Sequence, residues 1–136
     1  MDADLSLKIA GEDDIVMARR RAREIAAASG FGAVDQSRIA TAVSELARNI
    51  VRYATDSRGE ARIRALPASP RGQGIEIVVR DEGPGIADVE RAMESGYTSG
   101  GGLGMGLPGT RRLMDEMEID SALGRGTVVT IRKWHR

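Results

Sequence analysis

Three short runs bring together groups that can do chemistry. Ser44-Glu45-Leu46-Ala47-Arg48-Asn49 sets a carboxylate and an amide four residues apart. On a helix of about 3.6 residues per turn, Glu45 and Asn49 project within about 40° of each other. An Asn oxygen suits Mg²⁺, which prefers hard oxygen ligands and keeps several waters. A carboxylate one turn away can take a proton from an attacking water or hydroxyl. Asp81-Glu82-Gly83-Pro84-Gly85-Ile86 sets an acid in a glycine turn. There glycine permits sharp turns and lets a planar ligand approach the main chain. A carboxylate fixed at that point can accept a hydrogen bond from an exocyclic amine such as adenine N6. The run from Gly100 to Gly106 holds five glycines in seven residues. Its backbone N–H groups can converge on phosphate oxygens, helped by the positive end of the following helix. The three runs together imply a nucleotide site with catalytic groups beside it.

Each run alone also has a plainer reading. Glu45 can be solvated and Asn49 bonded to a loop. Asp81 can simply cap a Gly-Pro-Gly turn. The glycine run can be a lid that meets no ligand. Gly104-Met105-Gly106-Leu107-Pro108-Gly109 formally matches the dinucleotide fingerprint GxGxxG, but it follows the loop Tyr97-Thr98-Ser99-Gly100 and not a strand. The Gly-Lys-Ser or Gly-Lys-Thr of a Walker A loop is absent.

The elements that must position these runs are readable from periodicity and punctuation. Leu5 to Ile9 alternates as a short strand. Asp13 or Asp14 can cap a first helix that runs to about Ser29 and stops at Gly30 and Gly32. Asp35 is expected to cap a second helix running to about Ala54. In it, Ile39, Val43, Leu46 and Ile50 form one apolar stripe, with Glu45 and Asn49 on its flank and Arg48 and Arg52 further round toward solvent. Arg62 to Leu66 and Gly74 to Arg80 read as a hairpin around a turn from Pro67 to Gly72. A short helix from Asp88 to Ser95, a loop from Gly96 to Gly102, and a third main helix from Leu107 to Met117 follow. Pro108 sits where its missing N–H costs least. Val128 to Trp134 is the last strand, entered through the turn Leu123-Gly124-Arg125-Gly126. The expected fold class is α+β, a two-layer sandwich of a mixed, mainly antiparallel sheet with helices on one face.

Composition narrows the function. The 136 residues are 41% apolar and 29% charged, enough for one domain with a core. Aromatics are 3%, so that core is aliphatic. Twenty basic residues cancel twenty acidic ones, which gives no general drive toward nucleic acid. There is no cysteine, and the one histidine, His135, excludes a histidine-rich metal cluster. No run approaches the roughly 18 apolar residues of a membrane span, and the acidic start lacks a signal-peptide pattern, so a cytoplasmic protein is expected. The basic cluster Arg19, Arg20, Arg21 and Arg23 reads as a solvated helix face, with a docking patch for an acidic partner as the alternative. His135 reads as a tail residue and Trp134 as packing at the sheet edge.

As an ordered set the three runs resemble the ATP-binding domain shared by gyrase, the heat-shock chaperone, histidine kinases and MutL, the Bergerat-type fold. Together with Arg112-Leu113-Met114-Asp115-Glu116, Gly32-Ala33-Val34-Asp35-Gln36 and Lys133-Trp134, they are similar to the stressosome switch kinases of the anti-sigma-factor family. The likeness covers nearly the whole chain and implies a single ATP-binding kinase domain over residues 1–136. It assigns Asn49 to Mg²⁺ and Glu45 to the general base. It assigns Asp81 to the adenine amine, with Gly83 and Gly85 shaping the pocket. Gly102, Leu103, Gly104, Met105 and Gly106 would form the phosphate loop, Thr127 would bond near the adenine, and residues 88–101 would be the lid. Some relatives carry an arginine just before the Gly-Met-Gly; this chain has Gly102-Leu103 there. Arg48 is a candidate for the missing cation.

The resemblance implies a serine/threonine protein kinase that uses ATP and Mg²⁺. Its substrate would be a STAS-domain antagonist with co-antagonists in a stressosome, and its later partner a PP2C-type phosphatase. The rival readings are an ATP-gated binding module without catalysis and a dinucleotide-binding fragment.

Overall fold

The computed structural model describes residues 4–53, 59–83, 107–122, 124 and 126–135. Strand β1 (Asp4–Ile9) leads into helix α1 (Glu12–Ala28). The helix starts where Asp14 reaches back: its Oδ2 accepts the N–H of Ala10 at 2.7 Å and of Gly11 at 3.1 Å. This supplies partners to donors near the open end of the helix. Its buried stripe is Ile15, Ala18, Ala22 and Ala26, small enough for the next helix to lie close. At its end Phe31 N–H bonds Ala26 O at 3.0 Å and Gly30 N–H bonds Ala27 O at 3.1 Å. Gly30 takes the left-handed φ of 93° that this helix stop requires.

Helix α2 (Ala33–Tyr53) buries the predicted stripe of Ile39, Val43, Leu46 and Ile50. It begins two residues before Asp35, because Gln36 N–H already bonds Gly32 O at 2.9 Å. Asp35 therefore stands in the first turn, paired with Arg38 at 2.9 Å, where its charge suits the helix dipole.

Strands β2 (Gly59–Ser69) and β3 (Gly72–Asp81) form the expected hairpin, longer at both ends than the apolar alternation alone indicates. Helix α3 (Leu107–Leu113) is seven residues long and stops well before Met117. The chain then forms β4 (Glu116–Ala122), which pairs with β5 (Gly126–His135). Leu113, Met114 and Met117 have helical spacing, but Glu116 to Asp120 also alternates. Tertiary bonds decide: Lys133 Nζ donates to Leu113 O at 3.0 Å, and Asp115 N–H bonds Arg132 O at 2.9 Å. The sheet order is β1-β2-β3-β5-β4, and every described pairing is antiparallel, so the expected mixed component has no parallel pair among the described residues. The predicted helix at 88–95 and loop at 96–102 lie outside the described residues.

One sheet face meets the helices through Ile63, Ile75, Ile77 and Ile131, all fully buried. The other carries a row of opposite charges in register across four strands: Arg64, Glu76, Arg132 and Glu116. Arg64 and Arg132 each reach Glu76 at 2.7 Å, and Arg132 reaches Glu116 at 3.1 Å. Trp134 lies beneath Arg71, whose guanidinium sits 3.7 Å from the ring centroid.

Burial raises the Glu76 carboxyl, but the hydrogen bonds from Arg64 and Arg132 outweigh it and hold the group below the usual carboxylate range. A depressed carboxyl stabilises the fold above its unfolded pKa, and that stabilisation is lost as pH falls through the folded value. Glu76→Gln is expected to lose about 1–3 kcal/mol at pH 7. In thermal melts between pH 7 and pH 3 the gap from the parent should close toward the acid end; a constant gap would contradict this origin.

Candidate active site

Strand β3 is buried from Ile75 to Ile77 and again at Val79, and delivers Asp81 at its exit. In register, Asp81 lies between Gly59 of β2 and Thr127 of β5. Its Oδ1 accepts the N–H of Gly83 at 2.8 Å, closing the glycine turn expected from the sequence. Burial pushes the carboxyl pKa up, while backbone N–H groups of Gly83 and Thr127 pull it back only in part. The result is a half-buried acceptor fixed in direction by the backbone.

Two glycines make that position possible. Gly126 has a φ of 79°, and a Cβ there would fall on the carbonyl oxygen of Asp81. Only a residue without a side chain lets β5 come this close to the end of β3. At Gly59 a Cβ would stand 2.7 Å from Ile50 Cδ1 and 2.8 Å from Arg80 O. Ile50 follows Asn49 directly, so this contact brings the second half of α2 to the end of the sheet where Asp81 sits.

Thr127 is tied to a residue that sequence reasoning missed. Its Oγ1 lies 2.8 Å from Ser121 Oγ on β4, and Ser121 Oγ also donates to Gly126 O at 3.0 Å. A hydroxyl carries one proton. Ser121 spends it on Gly126, so Thr127 donates to Ser121 and its own oxygen can only accept. The available signal was the alternation of β4, which sets Ser121 opposite Thr127.

On α2, Glu45 and Asn49 are both half-buried, on the flank of the buried stripe. Arg48 does not point to solvent as expected: its Nη1 donates to Glu45 Oε1 at 2.9 Å. The basic cluster of α1 does face solvent in part, with Arg20 and Arg21 paired to Glu24. His135 is no loose tail either. Its Nε2 lies 2.6 Å from Ser29 O, and its ring meets Phe31 edge-on at 4.5 Å, clamping the α1–α2 turn.

Asp81, Gly83 and Thr127 are thus brought together, and Glu45 and Asn49 share one flank of α2. Gly85, Gly102, Leu103, Gly104, Met105 and Gly106 lie outside the described residues. Leu107, which follows the glycine run, is buried in the core, and α3 packs on α2. Among the described residues no cluster of three or more His, Cys, Asp or Glu could hold a metal by itself. A single amide oxygen such as that of Asn49 suits Mg²⁺, which takes few protein ligands when substrate phosphates supply the rest.

Residues 10–133 match the family model described as the histidine kinase-like ATPase domain. The chain belongs to the histidine kinase-like ATPase family. It is 47% identical over 137 aligned positions to the serine/threonine-protein kinase RsbT of Bacillus subtilis, covering 100% of both chains. That full-length likeness puts it among the serine/threonine protein kinases of this family. It is also 39% identical to the anti-sigma F factor of Caldanaerobacter subterraneus over 71% of this chain and 68% of that one. The same factor from Clostridium beijerinckii is 37% identical over 70% of this chain and 68% of its own. Among solved structures, the histidine kinase domain of Erythrobacter litoralis EL346 superposes with a TM-score of 0.51 at 22% identity, covering 88% of this chain and 59% of that one. This last likeness bears on the fold alone, and the expected two-layer α+β class holds.

Asp81→Asn keeps an oxygen for the Gly83 N–H and removes a partly desolvated charge. A raised carboxyl pKa means that the folded state binds its proton more tightly, so the charge is a burden above the folded pKa and disappears below it. The variant should therefore melt higher than the parent at pH 7, with the advantage shrinking as pH falls; a lower melting point at neutral pH would contradict the burial argument. Gly126→Ala should lose at least about 1–2 kcal/mol from the left-handed backbone alone, before its collision with Asp81, as read by denaturant titration.

Proposed function

We propose that the chain transfers the γ-phosphoryl of ATP to a serine or threonine of a STAS-domain antagonist, and that residues 1–136 act as one ATP-binding kinase domain. The reading rests above all on Asp81, held half-buried by Gly83 and Thr127 at the sheet end that Ile50 links to the Glu45–Asn49 flank. Full-length similarity to a serine/threonine kinase supports it.

In this mechanism Asp81 accepts the adenine 6-amino group, and Gly83 and Gly85 leave room for the ring. Thr127 offers its oxygen as an acceptor near the base. The backbone of Gly102, Leu103, Gly104, Met105 and Gly106 wraps the phosphates. Asn49 would hold Mg²⁺, which neutralises phosphate charge when bound. Glu45 takes the proton as the substrate hydroxyl oxygen bonds to the γ-phosphorus and the bond from phosphorus to the ADP oxygen breaks.

The product side chain carries about −1.5 to −2 charges. Once Glu45 has released its proton to solvent, the two negative charges repel, which favours release of the phosphorylated partner. The freed kinase then engages a PP2C-type phosphatase, in the cytoplasm. Antagonist and co-antagonists together form the stressosome-like substrate assembly. No described helix is long and apolar enough to cross a membrane.

The Arg48–Glu45 pair favours a second reading, an ATP-gated binding module, because the guanidinium occupies a carboxylate oxygen that a base would turn to its substrate. The dinucleotide reading loses its support, since a βαβ unit needs parallel strands and every strand pairing among the described residues is antiparallel.

Labelled ATP separates the two surviving readings. Purified protein with a STAS-domain substrate should transfer phosphate, and Glu45→Ala should transfer about 10²–10⁴-fold more slowly with ATP binding retained. Equal transfer by Glu45→Ala would remove the base role. No transfer by the parent would leave the binding module.

A further inference from the structure

The proposed base is not alone on its helix face. Arg48 Nη1 lies 2.9 Å from Glu45 Oε1, and the two side chains are 31% and 36% exposed. A half-exposed pair of this kind on one helix is weak. A guanidinium has five donors, and one of them meets Glu45 here. By meeting Glu45, the Arg48 guanidinium is turned toward the flank that also carries Asn49, the residue read as facing the phosphates. A terminal phosphate near Asn49 would offer this guanidinium more negative charge than Glu45 does, in a geometry that suits bidentate bonding. The other arginine on this part of α2, Arg52, is exposed in the last turn.

We propose that Arg48 reads the terminal phosphate of ATP and, by engaging it, frees Glu45 to act as the base. Arg48 is then a two-position group. On Glu45 it holds the carboxylate paired; on the γ-phosphate it supplies positive charge to the transferring group and leaves Glu45 able to take a proton. ADP lacks the phosphate that draws the guanidinium away, so Arg48 returns to Glu45 after transfer. This inference rests on the reading of Glu45 and Asn49 as the phosphate side of the site.

Calorimetric titration tests it without relying on turnover. Wild type, Arg48→Ala, Arg48→Lys and Glu45→Gln are each titrated, with Mg²⁺ present, with ADP and with a non-hydrolysable ATP analogue. Arg48→Ala should bind the analogue about tenfold more weakly, the loss expected for one charge-assisted phosphate contact, and ADP within about twofold of wild type. Arg48→Lys should recover part of the loss. Glu45→Gln, which removes the competing carboxylate, should bind the analogue more tightly than wild type. The unchanged ADP affinity shows that the fold is intact. Equal weakening of both nucleotides, no weakening of either, or weaker analogue binding by Glu45→Gln overturns the proposal. If wild type binds neither nucleotide, the ATP reading itself fails, a result distinct from all of these.

Discussion

A carboxylate at the exit of a central strand, half out of water and held by backbone N–H groups, sets the terms for the rest of the molecule. Asp81 is turned back on its own chain, its Oδ1 accepting the N–H of Gly83. Burial makes its charge costly, and Gly83 and Thr127 offset only part of that cost. Such an acceptor is poised for a donor that brings its own apolar body, and a purine amine is a donor of that kind. The glycines around it serve the same end. Gly126 lets β5 approach the Asp81 carbonyl, and Gly59 makes room for Ile50.

The second requirement is that α2 arrive at the same place. Its apolar stripe is fixed on the sheet, so the flank carrying Glu45 and Asn49 has a defined height and direction. The opposite end of the helix layer is secured separately. Lys133, buried on β5, donates to the last carbonyl of α3 and stands 3.9 Å from both Asp35 of α2 and Asp115. His135 holds the α1–α2 turn. The last strand therefore contacts the Asp81 junction at Gly126 and Thr127 and the helix ends at Lys133 and His135.

Much of this was legible in the chain. The α2 stripe followed from helical spacing, and the Asp81 turn from strand alternation ending in glycines. The placing of Asp81 and Thr127 at one site came from family likeness, not from periodicity. What escaped has a common cause: it depends on meetings between distant segments. The β4 strand competes with a helix over Leu113 to Met117, and bonds from Arg132 and Lys133 settle the contest. Ser121 gains meaning only once β4 lies beside β5. Arg48 was misdirected because a long side chain chooses its partner within reach, and Glu45 lay there. His135 looked idle because its partner, Ser29, is 106 residues away.

Calorimetric comparison of Mg·ATP with Mg·GTP tests the role of Asp81 most directly. GTP presents a 6-oxo acceptor where ATP presents an amine, so the fixed carboxylate should reject it. ATP should bind at least about a hundredfold more tightly than GTP, as expected where a desolvated group is left unpaired, and Asp81→Asn should erase most of that preference. Equal affinity for the two purines, or a preference that survives Asp81→Asn, would contradict it.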